Sequence, residues 1–420
     1  MSWAVNKSVL LTSTTIALSL VANVAFAGGF ALREQSAYYQ GMSFAGYGTS
    51  GDSISSMFWN PASIIGAQQG LTVEAHNSFI IPYSEINGTL SGGGLGTSSV
   101  GSGDIAADAW VPASYAAYRL NDQWVFGVGV NAPFGLTTKP EQNWAAQFYS
   151  RSSKVFSLNV NPNIVYQFND MISVAAGVQV QYLDVSLKSA DATSAGFARS
   201  NEVSGDDVGF GVTAGVTVRP FEGTEFGLGY RSGVSHTLEG DLFFLSGTRS
   251  AVSLGVITPD MVNFSASQQV TDKFRLLGTV EWTNWSRLKA PRAISDATGA
   301  TLTTLEFNYD DGWFFSLGGE YDFNEKLTLR AGLGYEISPI DEEIRSTRLP
   351  DNNRWWLSAG ASYNLNEHLA FDLGYTHIIP ESTDINIDSN HQDFNATFGT
   401  YSGEVDSHVN IIAASLRYKF

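Results

Sequence analysis

The segment "NIIAASLRYKF", from Asn410 to Phe420, ends the chain and alternates between two kinds of side chain. One set of alternate positions is apolar and contains Ile412, Ala414, Leu416, Tyr418 and Phe420. The other set carries the polar and charged residues and contains Ile411, Ala413, Ser415, Arg417 and Lys419. Successive side chains of a β-strand point to opposite faces, so this pattern predicts a strand with one apolar and one polar face.

The same pattern recurs along most of the chain from Leu71 onward. In "KFRLLGTVEW", Phe274, Leu276, Val280 and Trp282 oppose Arg275, Thr279 and Glu281. In "LTLRAGLGYE", Leu327, Leu329, Leu333 and Tyr335 oppose Arg330 and Glu336. Segments of about ten residues with this alternation are typical of a transmembrane β-barrel.

Short and long connections between the predicted strands alternate along the sequence. The six short ones lie at Leu120–Gln123, Phe168–Asp170, Arg219–Gly223, Val270–Lys273, Phe323–Lys326 and Leu365–His368. The seven long, polar ones lie near residues 83–108, 133–153, 188–206, 239–257, 287–308, 338–352 and 380–407. Thirteen connections join fourteen strands, and bacterial outer-membrane barrels have even strand numbers, short periplasmic turns and long extracellular loops. We therefore predict an all-β fold, a 14-stranded antiparallel transmembrane β-barrel.

A soluble propeller is the alternative with similar strand spacing. Its inward faces would be apolar, whereas the polar strand faces here carry Arg275, Glu281, Arg330, Glu336, Asp372 and Arg417. Aromatic residues also gather at the strand ends, as interfacial girdles do, among them Trp282, Trp285, Tyr335, Trp355, Tyr363, Tyr375 and Tyr418. Both observations favour the membrane barrel.

The N-terminus and the composition indicate export. Lys7 precedes an apolar stretch from Val9 to Val24, and Ala25-Phe26-Ala27 fits the small-residue cleavage pattern of a signal peptide. We expect a signal peptide over residues 1–27, with an uncleaved anchor helix as the alternative. The net charge of −18 argues against nucleic acid as a partner, and without cysteine the chain has no disulfide or thiolate site.

The motifs of enzymes and cofactor sites are weak in this sequence. "GVGVNA" (Gly127–Ala132) and "GFGVTA" (Gly209–Ala214) match a loose dinucleotide pattern, but they lie in predicted strands, where glycine leaves space for another backbone. The sequence contains neither a G-x-S-x-G elbow, a Walker loop nor an H-E-x-x-H motif. We predict no catalytic residues, no cofactor and no metal site.

The loop acids Asp341, Glu342 and Glu343 are interpreted as a solvated face, although divalent-ion binding stays open. An outer-membrane hydrolase would still require a serine or an acid beside one of six dispersed histidines.

Three stretches carry a resemblance to a known family. They are "NPASI" (Asn60–Ile64), "TPDMVNFSASQQVTDKFRLLGTVEWTNWS" (Thr258–Ser286) and "SPIDEEIRSTRLPDNNRWWLSAGASYNLNEHLAFDLGY" (Ser338–Tyr375). With them the mature sequence resembles the FadL family of outer-membrane transporters for long-chain fatty acids and other hydrophobic compounds. The resemblance implies a hatch over residues 28–68 inside a barrel over residues 69–420. It also implies a route from an extracellular groove through a lumenal pocket to a lateral exit where the third strand kinks inward.

Two parts of the chain are candidates for moving or opening. Pro133 and Gly135 interrupt a regular strand within Ala132, Pro133, Phe134 and Gly135, which fits either an ordinary strand end or the kink that the resemblance implies. In the hatch, Asn60-Pro61 starts a turn. We expect Asn60, Pro61 and Ala62 to anchor the hatch while Gly28, Gly29 and Phe30 move when ligand binds, with a purely structural plug as the alternative.

The ligand class stays open at this level. The fatty-acid members that this sequence resembles have a long third extracellular loop, but the corresponding stretch near residues 188–206 is short. This leaves Phe243, Phe244 and Leu245 of the fourth loop as groove candidates. Some of those members also place a lysine before the tenth strand, whereas "LTTLEFNYDDGW" (Leu302–Trp313) has no cation, and Arg151 and Lys154 are the alternatives.

We therefore predict a non-enzymatic, monomeric channel of the Gram-negative outer membrane. Its partners would be a fatty acid or a hydrocarbon, the outer-membrane lipid and lipopolysaccharide. The competing interpretations are a porin for small polar solutes, an outer-membrane hydrolase, and an adhesin that uses only the loops.

Overall fold

The computed structural model describes residues 28–243 and 249–420. The predicted signal peptide, Phe244 and Leu245 lie outside the described residues. No helix in these two ranges is both long enough and apolar enough to cross a membrane.

The described residues form fourteen antiparallel strands, some of them interrupted. They are β1 (Gly70–Gly92), β2 (Ala109–Arg119), β3 (Trp124–Asn131 and Gly135–Thr138), β4 (Ser152–Gln167), β5 (Ile172–Ala190), β6 (Ser200–Phe221), β7 (Thr224–Arg231 and Ser235–Phe243), β8 (Arg249–Ile257 and Met261–Thr271), β9 (Phe274–Thr283), β10 (Gly312–Asp322), β11 (Leu327–Ile337), β12 (Arg354–Asn364), β13 (Leu369–Pro380 and Thr383–Ile387) and β14 (Gly399–Lys419). Each strand pairs with its neighbours in sequence, and β1 pairs with both β2 and β14, which closes the barrel. The predicted fold class is confirmed.

The two faces of each strand differ as the sequence predicts. In β14, Ile412 is 46% exposed and Leu416 is 40% exposed, whereas Ile411 and Arg417 are buried. Charged residues of the inward face form buried ion pairs, such as Arg330–Glu320 at 2.7 Å and Arg417–Asp372 at 2.9 Å. The apolar face therefore meets lipid, and the polar face lines the lumen.

An asparagine closes four of the six short turns by the same contact. In the turn after β2, the Oδ1 atom of Asn121 accepts hydrogen bonds from the N–H groups of Gln123 and Trp124, both at 2.9 Å. Asn169, Asn324 and Asn366 make the equivalent pair of bonds in their turns. A short polar side chain that bonds the backbone two residues later favours a turn over a continued strand.

Four predicted loops are shorter than the sequence indicates, because the strands continue into them. The β1–β14 ladder runs up to Gly92 opposite Gly399, and the β5–β6 ladder runs up to Ala190 opposite Ser200. The stretches near residues 83–108, 188–206, 239–257 and 380–407 were therefore wrong as wholly non-strand connections. Outside the bilayer neither strand face meets lipid, so backbone pairing continues after the apolar alternation has ended. The loop after β9 also contains a small hairpin, Arg292–Ser295 with Thr301–Thr304.

The segment before β1 lies inside the barrel and consists of short elements. It contains the helix α1 (Ala37–Gln40) and two 3-10 helices, Ile54–Phe58 and Pro61–Gly66. Lumen-facing glycines admit its backbone. A Cβ atom on Gly332 would lie 2.2 Å from the backbone of Met42, and one on Gly360 would lie 2.6 Å from the Cα atom of Gly41. Gly127 of the first glycine motif lies in β3, where its Cβ would meet Ile64 at 2.7 Å. The predicted strand position of that motif is confirmed, although at Gly127 the space is taken by a side chain rather than by another backbone.

Candidate binding cavity

The wall between β2 and β3 is interrupted. The two strands pair from Arg119 opposite Val125 up to Ser114 opposite Val130, and the next described bridge joins Ala106 to Thr138. Over Ala109–Ala113, β2 pairs with β1 on its other side, and β3 stays paired with β4 both below and above its bend. The opening therefore lies between β2 and β3.

The bend of β3 satisfies its backbone polar groups with the hatch and with β4. The N–H of Leu32 donates to the carbonyl of Pro133 at 2.8 Å, and the N–H of Gly135 donates to the carbonyl of Phe30 at 2.9 Å. The side-chain amide of Gln35 donates to the carbonyl of Ala132 at 2.8 Å. Residues 30–35 thus replace part of the ladder that β2 does not supply, which matters because unpaired backbone groups at membrane depth cost several kcal/mol each.

Ser157 of β4 completes this arrangement on the other side of the bend. Its hydroxyl accepts from the N–H of Phe134 at 2.8 Å and donates to the carbonyl of Phe134 at 2.7 Å. The backbone N–H of Ser157 also donates to that carbonyl, at 3.1 Å. The backbone of the bend is therefore held by specific hydrogen bonds to β4 and to residues 30–35.

Three aromatic rings lie where the hatch meets the bend. Phe30 packs edge-on against Trp285, with ring centroids 4.6 Å apart, and against Phe134 at 5.9 Å. Phe134 and Trp285 are 6.1 Å apart, and all three rings are buried. We call Phe30, Phe134 and Trp285 the aromatic gate.

A cavity of about 380 Å³ extends from Phe30 toward the long loops. This volume is within the range of about 300–1,000 Å³ that is usual for small-molecule sites. Its wall is largely apolar and includes Leu136, Val155, Leu183, Leu187, Leu254, Val256, Leu288, Leu305, Phe307, Ile340 and Leu349. Near the loops, Phe148 stacks on Phe398 at 5.6 Å and meets Phe197 edge-on at 4.9 Å.

One end of the cavity is polar and contains Arg348, Asp393 and Glu306. Arg348, in the loop between β11 and β12, donates from Nη1 to the carbonyl of Lys188 at 3.0 Å. Burial lowers the pKa of the Arg348 guanidinium, and Asp393 partly opposes this shift. Burial likewise raises the pKa of Asp393, which His391 and Arg348 partly oppose. Within the described residues no carboxylate oxygen lies within 4 Å of the Arg348 guanidinium, so this half-buried cation has hydrogen-bonding capacity left for a ligand.

The candidate cations from the sequence lie elsewhere. Lys154 is exposed and forms an ion pair with Asp184 at 3.0 Å. Arg151 donates to Gln147 at 2.6 Å and to the carbonyls of Phe197 and Arg199. Neither residue lines the cavity, and neither does Phe243, whose ring lies 5.7 Å from the Arg249 guanidinium. Sequence reasoning did not single out Arg348, because its loop meets the cavity only through tertiary structure.

The residues that the sequence singles out in the hatch lie in two groups, one near each end of residues 28–68. Asn60 caps the 3-10 helix Pro61–Gly66 by accepting from the N–H of Ala62 at 3.0 Å. Its amide also donates to the carbonyls of Gly48 and Val216, at 2.6 and 3.1 Å, which ties the hatch to β6. At the other end, the N–H groups of Gly28 and Gly29 donate to Glu336 and Asp351.

Among the described histidines, His76 lies near a serine and an acid, but its contacts do not form a nucleophile–base pair. His76 accepts from the N–H of Ala37 at Nδ1, so its Nε2 donates to Glu74 at 3.0 Å. Ser53 bonds the carboxylate of Glu74 rather than the imidazole, so no ring nitrogen is free to take a serine proton. Among the described residues there is also no group of three or more His, Cys, Asp or Glu that could hold a metal ion.

Comparison with protein families matches residues 18–420 to the family described as outer membrane protein transport protein (OMPP1/FadL/TodX). The chain belongs to this family. With the barrel fold, this places it in the outer membrane of a Gram-negative bacterium and confirms the resemblance seen in the sequence.

Individual relatives agree with this membership. The chain is 26% identical over 407 residues to the long-chain fatty acid transport protein of Escherichia coli O6:H1, covering 87% of this chain and 90% of that protein. A Pseudomonas aeruginosa FadL homologue has the same fold with a TM-score of 0.83 at 21% identity, covering 94% of this chain and 100% of that one. The toluene transporter TodX of Pseudomonas putida gives a TM-score of 0.69 at 16% identity, covering 92% and 98%. The Escherichia coli and Pseudomonas putida proteins are described as transporters.

Proposed function

We propose that this protein takes up hydrophobic compounds, long-chain fatty acids or hydrocarbons, across the outer membrane and releases them sideways into the bilayer. The observation that carries the proposal is that an apolar cavity reaches Phe30 and Leu136, where Phe30 packs on Phe134 and Trp285 beside the interruption in β2–β3 pairing. The relatives described as transporters of long-chain fatty acids and of toluene are consistent with this class of ligand.

The cavity provides the affinity for such a ligand. Each CH₂ group that leaves water contributes about 0.8 kcal/mol, so an apolar pocket of this size favours an alkyl chain or an aromatic ring. The rings of Phe148 and Phe398 line the cavity near the loops and, with Phe197 packed behind Phe148, are the proposed capture site. This cluster replaces Phe243 in our assignment, since Phe243 neither lines the cavity nor packs on these rings.

The hatch and the bend of β3 provide the exit. Phe30 both lines the cavity and bonds through its carbonyl to Gly135, so a shift of residues 28–30 moves the gate and loosens the bend together. Asn60, bonded to β6, holds the remainder of the hatch in place. A ligand that leaves through the opening enters the lipid without crossing water.

Arg348 is the proposed partner for a ligand carboxylate. It is a half-buried guanidinium on the cavity wall whose bond to the carbonyl of Lys188 leaves other N–H groups available. Glu306 and Asp393 line the cavity together with Arg348, so the positive charge of Arg348 has acidic neighbours when no carboxylate ligand is bound. A neutral hydrocarbon therefore does not have to supply a negative charge when it binds. Arg348 would thus raise the affinity for fatty acids above that for hydrocarbons.

The experiment compares uptake of labelled oleate and labelled toluene by cells that lack their own channel. The test variant replaces Pro133, Phe134 and Gly135 by strand-forming residues, which would extend β3 along β2. A matched control, Pro162→Val, removes a proline from β4 where that strand pairs without interruption with β3. We expect the wild type and the control to take up at least one compound and the test variant to lose most of that uptake.

Two results would contradict the proposal. Full uptake by the test variant at equal amounts of folded protein would exclude release through the opening. No uptake of either compound by the wild type, together with ordinary small-ion conductance in a planar bilayer, would identify a porin instead.

A further inference from the structure

The first two residues after the predicted cleavage site lie in a buried group of charges. The backbone nitrogen of Gly28 lies 3.2 Å from Oε1 of Glu336, and that of Gly29 lies 3.1 Å from Oδ2 of Asp351. Both glycines and both acids are buried. Proteins bind a terminal amine by such convergent acceptors.

The side chains around Gly28 carry more negative than positive charge. Arg33 pairs with Glu281 at 2.7 Å and with Glu336 at 3.3 Å. Arg354 pairs with Glu336 at 2.8 Å and with Asp351 at 3.3 Å. In these described contacts three carboxylates share two guanidinium groups, and every side chain in them is at most 8% exposed.

Two further charged groups of opposite sign face this cluster. Arg345 donates to the backbone carbonyl of Asp351 at 2.8 Å, and its buried guanidinium adds a positive charge beside that acid. Glu34 is buried nearby, and burial raises its pKa to about 7, so it adds negative charge as the pH rises. An uncompensated buried charge is costly, since ion desolvation is offset only by close partners.

We propose that removal of the leader after Ala27 supplies a further cation here, with the new α-ammonium group of Gly28 pairing with Glu336 where four acidic side chains, Glu34, Glu281, Glu336 and Asp351, face three guanidinium groups. The glycine at this position has a physical reason, because a Cβ atom on Gly28 would lie 2.5 Å from Oε1 of Glu336. Gly29 has a φ of 63°, and a Cβ atom there would lie 2.8 Å from the ring of Trp285. Side chains at either position would push the terminus away from its acceptors.

The consequence is a fixed resting position for Phe30. Only Gly29 separates the proposed ammonium contact from Phe30, whose carbonyl accepts from Gly135 and whose ring packs on Trp285. In the precursor the Gly28 nitrogen is a neutral peptide group, which donates a hydrogen bond to Glu336 but brings no positive charge. Signal-peptide cleavage would therefore complete the closed state of the hatch as well as remove the leader. This inference does not depend on which compound the protein transports.

The test measures the pKa of the Gly28 α-amino group in the exported, folded protein. Mass spectrometry first establishes that the chain begins at Gly28, and the rate of α-amine acylation is then followed against pH. Burial alone lowers the pKa of an amine, whereas a carboxylate partner raises it, so the direction of the shift separates the two effects. We expect a pKa at least one unit above the usual range of about 7.7–8.0, and an unshifted or lowered value would overturn the proposal.

A double-mutant cycle provides an independent check. One variant carries an extra glycine between Ala27 and Gly28, which keeps the charge but moves it by about 3.5 Å along the chain. We expect this insertion to lower the thermal midpoint of the wild type and to have at least twofold less effect in an E336Q background. An equal effect in both backgrounds would show that the terminus does not interact with Glu336. If E336Q does not fold, the pKa measurement on the wild type still decides the matter.

Discussion

Arg348 is the residue at which a fatty acid and a hydrocarbon should be distinguished. We predict that R348L lowers uptake of labelled oleate by roughly 10- to 100-fold, since a hydrogen bond to a charged group contributes about 1.5–3 kcal/mol. Toluene uptake should stay within about twofold of the wild type, because toluene offers no acceptor for the guanidinium. Transport assays with both compounds at matched protein levels measure the difference.

The controls for Arg348 separate binding from folding. R348K keeps the charge and should retain part of the oleate uptake, and R199L removes an exposed arginine away from the cavity and should change neither compound. Equal loss of oleate and toluene in R348L would contradict the assignment. It would indicate that Arg348 acts through its bond to the carbonyl of Lys188.

A lumen-facing glycine gives a second prediction at the residue scale. We expect G332A to displace the hatch, because its Cβ atom would lie 2.2 Å from the backbone of Met42, which cannot move without shifting the segment after α1. Increased proteolysis of residues 28–68 and a thermal midpoint lowered by a few degrees would show this. The matched control is G278A in β9, whose Cβ atom meets its nearest neighbour at 3.6 Å. Equal behaviour of the two variants would contradict the predicted role of the glycine.

The sequence predicted which face of a strand a residue occupies, because side chains alternate along a strand. It did not predict which loop residues meet at the cavity, because that depends on the tertiary structure. Lys154 was proposed as a ligand partner, although the same period puts it on the lipid-side face with Phe156 and Leu158, opposite the buried Ser153 and Val155. That signal was available in the sequence. Arg348 could not be found in this way, because its position beside the β13–β14 loop depends on contacts over long sequence distances.

At the scale of elements, the bend of β3 depends on the contact with β4. We predict that S157A increases hydrogen exchange at the amide of Phe134, since that N–H loses its hydroxyl acceptor, at a local cost of about 1–3 kcal/mol. The barrel should stay folded, because the ladders on either side of the bend remain paired. Exchange mass spectrometry of residues 130–138 measures the effect, and S152A on the same strand is the control. Unchanged exchange at Phe134 would show that the hatch contacts alone hold the bend.

The strands and turns could be predicted because lipid and turn chemistry act locally. Lipid requires every second side chain to be apolar, and asparagines such as Asn324 bond the backbone within their own turn. The outer ends of β1 and β14 could not be placed. They lie outside the bilayer, where neither strand face meets lipid, so alternate side chains need not be apolar and the sequence pattern no longer indicates a strand. The bend of β3 was ambiguous for a related reason. Pro133 and Gly135 fit a strand end equally well, and only tertiary contacts, the renewed pairing with β4 from Gly135 and the bonds to residues 30–35, show that the chain continues along the wall.

At the scale of the whole molecule, the hatch fills the lumen and shares its ion pairs with the wall. Arg33 of the hatch pairs with Glu281 of β9, Tyr38 donates to Glu320 of β10 at 2.5 Å, and the carbonyl of Asp52 accepts from Arg417 of β14. These contacts reach strands far apart around the barrel. The hatch therefore contacts the wall from several sides of the lumen.

Deletion of residues 28–68 should therefore change conductance and stability together. We predict a large rise in small-ion conductance in planar bilayers, because the deletion removes the segment that occupies the lumen. We also predict a thermal midpoint below that of the full chain, because Glu281 and Glu320 each lose a buried hatch partner. Restoring the segment as a separately supplied peptide should lower the conductance again if the empty barrel keeps its shape. Conductance equal to that of the full-length protein, measured on barrels shown to be folded, would mean that ions already have a path around the hatch, and the proposed route through the cavity and the β2–β3 opening would then lose its physical basis.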